Sequence, residues 1–385
     1  MRQIIFVFAF FLFLNIQASI NVVAFDSFYE QHNLPTMSYF TNSTPQLNNK
    51  SSIILKLNAF GDEMNQGIVV FSFDDKKKVY GNKIFYAAEE GEYLSDPSLN
   101  DKGDIVFSLY NERRHFGIFK GKESEEQKVE HVLKLGGPFF NLKYSHPFIT
   151  NEGLVFYQAE DFEEVKSIQS FDLASKENKK LFSTNESISY LFTMKVSDKG
   201  EVLLRVLQEN TNDRIFKGHS DLKEILMKEK EDLGIKEFSH MFDINNQGDV
   251  LILAIKEDGR KALLLKEFWQ EGKIVAEEGD AGIKEIEYFY PQINKQKTIV
   301  FRAIDEEGNY LVYQMKKGKK EKIFYEHQTL KTPFGRDAEI FYAKQAPPFG
   351  GNPSLNDKDE VAINASLFSS SGGQAKAILK FSPDK

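Results

Sequence analysis

The chain has 385 residues, a formal net charge of −8 and no cysteine. The charge argues against a general affinity for nucleic acid or anionic lipid. The missing thiols exclude disulfides, a thiol-linked lipid anchor, a cysteine nucleophile and any thiolate metal site.

The first residues read MRQIIFVFAFFLFLNIQAS: one charge at Arg2, eleven uninterrupted apolar residues from Ile4 to Leu14, then the small pair Ala18 and Ser19. That order is the pattern of a secretory signal peptide cut after Ala18 or Ser19. Eleven helical residues span about 16 Å, short of a bilayer core of roughly 30 Å. The expected leader is therefore residues 1–18, and no later stretch is long and apolar enough to anchor the mature chain. An exported protein without cysteine suits the periplasm or exterior of a bacterium.

Residues 19–385 are organised by one short phrase. DPSLNDKGDIVF at 96–107 returns almost verbatim as NPSLNDKDEVAI at 352–363, and five divergent copies accompany them. The apolar residue before each turn is Leu47, Leu99, Ile149, Val196, Ile244, Ile293 and Leu355, at separations of 52, 50, 47, 48, 49 and 62. In each unit this apolar anchor ends a short strand. Asn or Ser with two polar residues and often Gly then makes a tight turn. A β-branched and aromatic run such as Ile105-Val106-Phe107 follows as a buried strand. A third run, Gly117-Ile118-Phe119 in the second unit, and a fourth, Val129 to Leu133, complete the unit. Seven units of four antiparallel strands predict an all-β fold, a seven-bladed β-propeller.

The seventh unit stops at Lys385 after its third strand, and Asn21-Val22-Val23-Ala24-Phe25 is strand-like. The N-terminal strand is therefore expected to supply the missing fourth strand and close the ring. Ile84-Phe85-Tyr86-Ala87 and Ile340-Phe341-Tyr342-Ala343 each stand ten residues before the repeated Pro-Ser-Leu phrase, so both are read as fourth strands leading into a blade. Residues 220–234 carry Leu222, Ile225, Leu226 and Leu233 at helical spacing, which predicts a short helix capped by Ser220 between strands of the third complete unit. The long last interval marks a second insertion at roughly 327–345.

The Pro-x-apolar-Asn-x-x-Gly-x-x-x-Phe phrase resembles the repeats of exported bacterial propeller proteins with an N-x-x-G-x-x-x-F motif, and more distantly those of TolB-like propellers. The likeness runs through all seven units. TolB-like turns are usually Ser-Pro-Asp-Gly, where this chain has Asn-Asp-Lys-Gly or similar, and TolB itself has six blades and a separate N-terminal domain. The resemblance implies the fold, export, and a habit of binding proteins or carbohydrate. It brings no catalytic residue and no role with the Tol system.

Function is then sought on the two faces of the ring. The first-to-second and third-to-fourth turns share one face, with lysine runs such as Lys76-Lys77-Lys78. The second-to-third turns and blade-to-blade links share the other, which collects acidic pairs such as Glu160-Asp161 and Glu257-Asp258. Such pairs also suit solvated hairpin tips that keep the molecule soluble. The links gather Tyr93, Asp96, Tyr144, His146, His240, Tyr288, Tyr290 and Asn352 near the expected central mouth. Aromatic faces beside carboxylates suit sugars or peptide side chains, although tyrosines packed between blades would give the same pattern. No two of the seven histidines stand at zincin spacing. Asp243 to Gly248 opens like a calcium loop, but Ala254 stands where the closing glutamate belongs. It is read as another blade turn. No nucleophile elbow or phosphate-binding glycine loop occurs. The sequence therefore favours a monomeric, non-catalytic propeller, without cofactor or metal, that binds a protein partner or cell-envelope glycan at its mouth. The alternative is a propeller hydrolase or polysaccharide lyase with a carboxylate and histidine site there.

Overall fold

A computed structural model describes residues 18–26, 34, 38–39, 43–59, 66–74, 76, 79–112, 115–126, 128–134, 139–141, 146–184, 188–208, 214–268, 270–332, 337–342, 347–369 and 373–383. The expected leader falls outside them apart from Ala18.

The described residues form seven antiparallel sheets, six with their four blade strands in sequence order and the seventh completed by the N-terminal strand. In blade 2 the innermost strand is split into Glu92–Leu94 and Ser98–Leu99, and Asp104–Asn111, His115–Lys122 and Val129–Lys134 follow outward. Blade 5 keeps its innermost strand whole, Ile235–Ile244, followed by Val250–Lys256, Lys261–Lys266 and Lys273–Glu277. Middle strands such as Ile53–Leu55 and Ile105–Phe107 read as continuous apolar runs because both faces of every blade are covered by neighbouring blades. Seven apolar clusters result, one at each blade interface.

The last blade closes as the sequence predicts. Ser19–Phe25 pairs antiparallel with Gly373–Ser382, from Ser19 opposite Ser382 to Phe25 opposite Ala377. Val22, Val23, Ala24 and Phe25 are all buried there.

Two expectations need correction. The helix, α1, runs only from Met227 to Asp232, and its N-cap is Leu226, which is in a left-handed conformation with no side-chain cap. Lys223–Ile225 are the fourth strand of blade 4, and the pairing of Ile225 with Ile215 takes one of the four apolar residues that gave the helical spacing. The helix therefore follows blade 4, in the link to blade 5. The Ile-Phe-Tyr-Ala duplication also misleads. Ile84 to Ala87 belong to the fourth strand of blade 1, Val79–Ala87, whereas Ile340 pairs with Leu367 as part of the first strand of blade 7. The 327–345 insertion supplies an extra hairpin, Thr329–Lys331 against Asp337–Ile340.

The repeated turns share one design. The residue four places after each anchor has a positive φ: Gly103, Gly153, Gly200 and Gly248, but also Ser51, Lys297 and Asp359. The residue just after the anchor closes the turn. Asn100 Oδ1 accepts from Lys102 N (3.0 Å) and Asp104 N (2.9 Å), while its Nδ2 donates to Thr150 O of blade 3 (2.9 Å). Asn48, Asn245, Asn294 and Asn356 do the same, each reaching the next blade's carbonyl at 2.9–3.1 Å. The following residue adds a second inter-blade bond: Asp357 N donates to Asn49 Oδ1, and Asn49 N to Asp101 Oδ1 (both 2.7 Å). PSLNDK is thus a clasp between blades as well as a turn.

Candidate functional site

Strand periodicity places two residues of each innermost strand toward the ring axis, one and three places before the anchor. The positions three before it open the mouth on the face of the blade-to-blade links. Thr44, Asp96, His146, Tyr290 and Asn352 line one cavity of about 170 Å³ there. The equivalent Met241 packs into the interface with blade 6 instead. The positions one before the anchor form the channel waist: Gln46, Ser98, Phe148, Lys195, Asp243, Gln292 and Ser354. Six of these border the mouth cavity, and all seven border a second cavity of about 180 Å³ that opens between the clasp turns.

Of the residues that the sequence singles out, the structure therefore brings Asp96, His146, Tyr290 and Asn352 together. It does not bring Tyr93, His240 or Tyr288 to the cavity, and Tyr144 lies outside the described residues. Tyr93 stacks on Tyr110 at 5.8 Å, which stacks on His115 at 5.1 Å. Tyr288 is 49% exposed on the rim, with Lys261 Nζ 4.5 Å from its ring centroid. His240 is exposed outside the cavity.

The mouth is braced from behind. Arg302, only 1% exposed, donates through Nε and Nη2 to the Glu287 carboxylate (both 2.9 Å) and through Nη1 to Gly351 O (2.8 Å). Its guanidinium lies 3.5 Å from the Phe289 ring centroid. These contacts hold the links that carry Tyr290 and Asn352. Tyr290 N then donates to Asn352 Oδ1 (2.9 Å), and Asn352 N to Thr44 Oγ1 (3.1 Å). Asp96 sits 3.6 Å from Lys56 Nζ, which also donates to Leu94 O (3.1 Å).

Charge at the waist comes from Lys195, which the sequence reading passed over, and from Asp243, which it read only as the start of a turn. The signal was available, because both stand immediately before an anchor. Burial holds the Lys195 ammonium below the usual lysine range, against the pull of Asp243. Burial also pushes the Asp243 carboxyl up to about 6, opposed by Lys195 and by the amide of Ile293, which donates to Asp243 Oδ2 (2.9 Å). Both residues are only partly buried and border the cavity between the clasp turns. Lys195 Nζ lies 4.7 Å from the Tyr290 ring centroid and 5.9 Å from that of Phe148. His146 is accessible from the mouth yet hemmed in by protein. Burial lowers its pKa, Asp96 opposes this, and Lys56 and Lys195 reinforce it, so the imidazole is neutral at pH 7. Among the described residues no group of three His, Asp or Glu side chains converges to hold a metal. The arrangement can bind: it offers a cation, amides, a neutral imidazole and aromatic faces around one opening.

No family model and no curated protein matches this chain. Solved structures do. The β-propeller domain of the Trilobed protease from Pyrococcus furiosus is 11% identical with a TM-score of 0.55, over 88% of this chain and 95% of that one. The oligogalacturonate lyase from Vibrio parahaemolyticus is 9% identical with a TM-score of 0.54, over 95% and 98%. The fold is shared; at such identities nothing further follows. TolB from Acinetobacter baumannii gives 12% identity and a TM-score of 0.44 over 67% of this chain, which spans 58% of TolB. The Pyrococcus domain is described as an open velcro, whereas here Ser19–Phe25 completes the last blade. Among the described residues no helix is long and apolar enough to cross a membrane.

Proposed function

We propose that this protein is exported through a leader at residues 1–18 to the periplasm or exterior of a bacterium, where residues 19–385 act as a monomeric, non-catalytic binding propeller. Its ligand, a segment of a partner protein or a cell-envelope glycan, enters the mouth lined by Asp96, His146, Tyr290 and Asn352. One observation carries this reading: side chains from four separate blades meet around a single cavity that continues into a charged waist. The carboxylate at the mouth is taken up by Lys56, and the waist carboxylate by a backbone amide, so neither is set out as a free base.

A panel of cell-envelope glycans and peptides tests the reading. The protein should retain at least one member, and Tyr290→Ala should weaken that binding at least tenfold while Tyr288→Ala, on the rim, leaves it unchanged. Equal binding by both variants, or no binding by the parent, overturns it. The second reading, a polysaccharide lyase or hydrolase, draws support from Asp243, whose carboxyl near 6 has the pKa of a proton carrier at neutral pH. Polymer cleavage lost in Asp243→Asn would favour it.

A further inference from the structure

The polar side chains of the waist divide into those that clamp blades and those that do not. Ser354 Oγ accepts from Leu47 N (3.0 Å), Ser98 Oγ from Ile149 N (3.2 Å), and Asp243 Oδ2 from Ile293 N (2.9 Å). These three are spent on the ring. Lys195 cannot accept from a neighbouring blade's amide as these three do. Among the described residues its ammonium has no hydrogen-bond acceptor and no carboxylate within 4.0 Å, only the faces of Tyr290 and Phe148. The Gln46 amide, across the same waist, likewise has no hydrogen-bond partner among the described residues. Gln292 uses one N–H on Pro291 O (3.1 Å) and keeps its amide oxygen. Removing an ammonium from bulk water without an acceptor is costly. A partly buried cation without a protein acceptor, at the meeting point of two cavities, fits a ligand that brings one.

We propose that the waist is a carboxylate site, and that its ligand is an acidic sugar whose carboxylate is taken by Lys195 Nζ. The proposal rests on the mouth-binding reading and gives that ligand its chemistry. Lys195 supplies the charge-assisted bond. Gln46 and Gln292 present amides to ring hydroxyls, and Tyr290 and Phe148 offer faces to the C–H side of the ring. An extended peptide is less well served. It would bind by adding a strand to the inner edges of the blades. The amides there are already donated between blades, those of Leu47, Ile149 and Ile293 at the waist and those of Tyr290 and Asn352 at the mouth.

The test uses calorimetric titration of the full chain with trigalacturonate, its methyl ester, and one tripeptide with a free or amidated C-terminus. The ester keeps the sugar and removes the charge. Expected is binding of trigalacturonate, at least tenfold weaker binding of the ester, and loss of that difference in Lys195→Met, which preserves length and removes the donor. The wild-type ester comparison stands alone if the variant fails to fold. Equal binding of acid and ester overturns the carboxylate site and leaves the mouth reading intact. Binding of the free-acid tripeptide with no binding of the sugar overturns the acidic-sugar assignment. If neither sugar nor peptide binds, this inference falls; the mouth reading is then judged separately on the wider glycan and peptide panel.

Discussion

Asp243 shows how a single position can work against the fold that surrounds it. Its carboxyl pKa rises from 3.8 to about 6 because burial outweighs both Lys195 and the Ile293 amide. The folded state therefore binds more protons than the unfolded chain between about pH 4 and pH 6. Stability falls as pH rises through that window and then levels off. The full shift corresponds to about 3 kcal/mol, and the partial exposure of Asp243 reduces this to roughly 2 kcal/mol. Asp243→Asn mimics the protonated side chain, and its amide oxygen can still accept from Ile293 N. The variant should match the wild type at pH 4 and exceed it by about 1–2 kcal/mol at pH 8. Urea unfolding at the two pH values checks this. A variant that is less stable than wild type at pH 8 would show that the ionised carboxylate is favourable where it stands. Burial also disfavours the charge on Arg302 and lowers its pKa, but there all the hydrogen-bonding is met within the fold, by two bonds to Glu287 and one to Gly351 O.

At the scale of elements, the clasp turns set which parts of the chain were legible. Five of the seven carry Asn just after the anchor and bond onward to the next blade; blades 3 and 4 carry Thr150 and Ser197. Their hydroxyls accept from Leu154 N (3.1 Å) and Glu201 N (3.2 Å), but neither has an amide to extend to the neighbour. Thr150→Asn keeps the turn, which already has Gly153 at positive φ, and adds a donor aimed at blade 4. It should raise the urea midpoint, by about 1 kcal/mol in stability. Asn100→Ala, which loses an acceptor of two amides and the bond to Thr150 O, should cost about 2 kcal/mol or more. No gain in the first variant would mean that the onward bonds contribute little.

The same turns explain which of the residues singled out in the sequence reach the mouth cavity. Asp96, His146, Tyr290 and Asn352 stand three residues before an anchor, in register with the axis. Tyr93, His240 and Tyr288 stand six, four and five before theirs, and the backbone carries them to rim or interface. The anchors were visible in the sequence, and taking the residues one and three places before each would also have found Lys195 and Asp243. What could not be read was which strands pair within a blade. Ile225 looks helical until Ile215 pairs with it, and Ile340-Phe341-Tyr342 copies Ile84-Phe85-Tyr86 while serving a different strand.

For the whole molecule, the decisive joint is between the two ends of the described chain. Six blades are built from contiguous sequence, and the seventh depends on Ser19–Phe25 pairing with Gly373–Ser382. Without that strand the outer edge of blade 7 offers a row of unpaired amides and carbonyls. It also loses its cover over Ala362 and Ile378, which share a cluster with Val23 and Ala24. Burying Val22, Val23 and Phe25 contributes on the order of 5 kcal/mol as an upper estimate. A chain lacking residues 19–25 should therefore unfold at lower urea, with blade 7 melting before the rest. It should also self-associate through the bare edge, seen as a concentration-dependent mass in light scattering. Adding the peptide Ser-Ile-Asn-Val-Val-Ala-Phe in trans should reverse both effects, because the register is fixed by the buried side of that strand. A truncated chain that stays monomeric with an unchanged midpoint would mean that the blade interfaces alone hold the ring, and that closure is incidental to its stability.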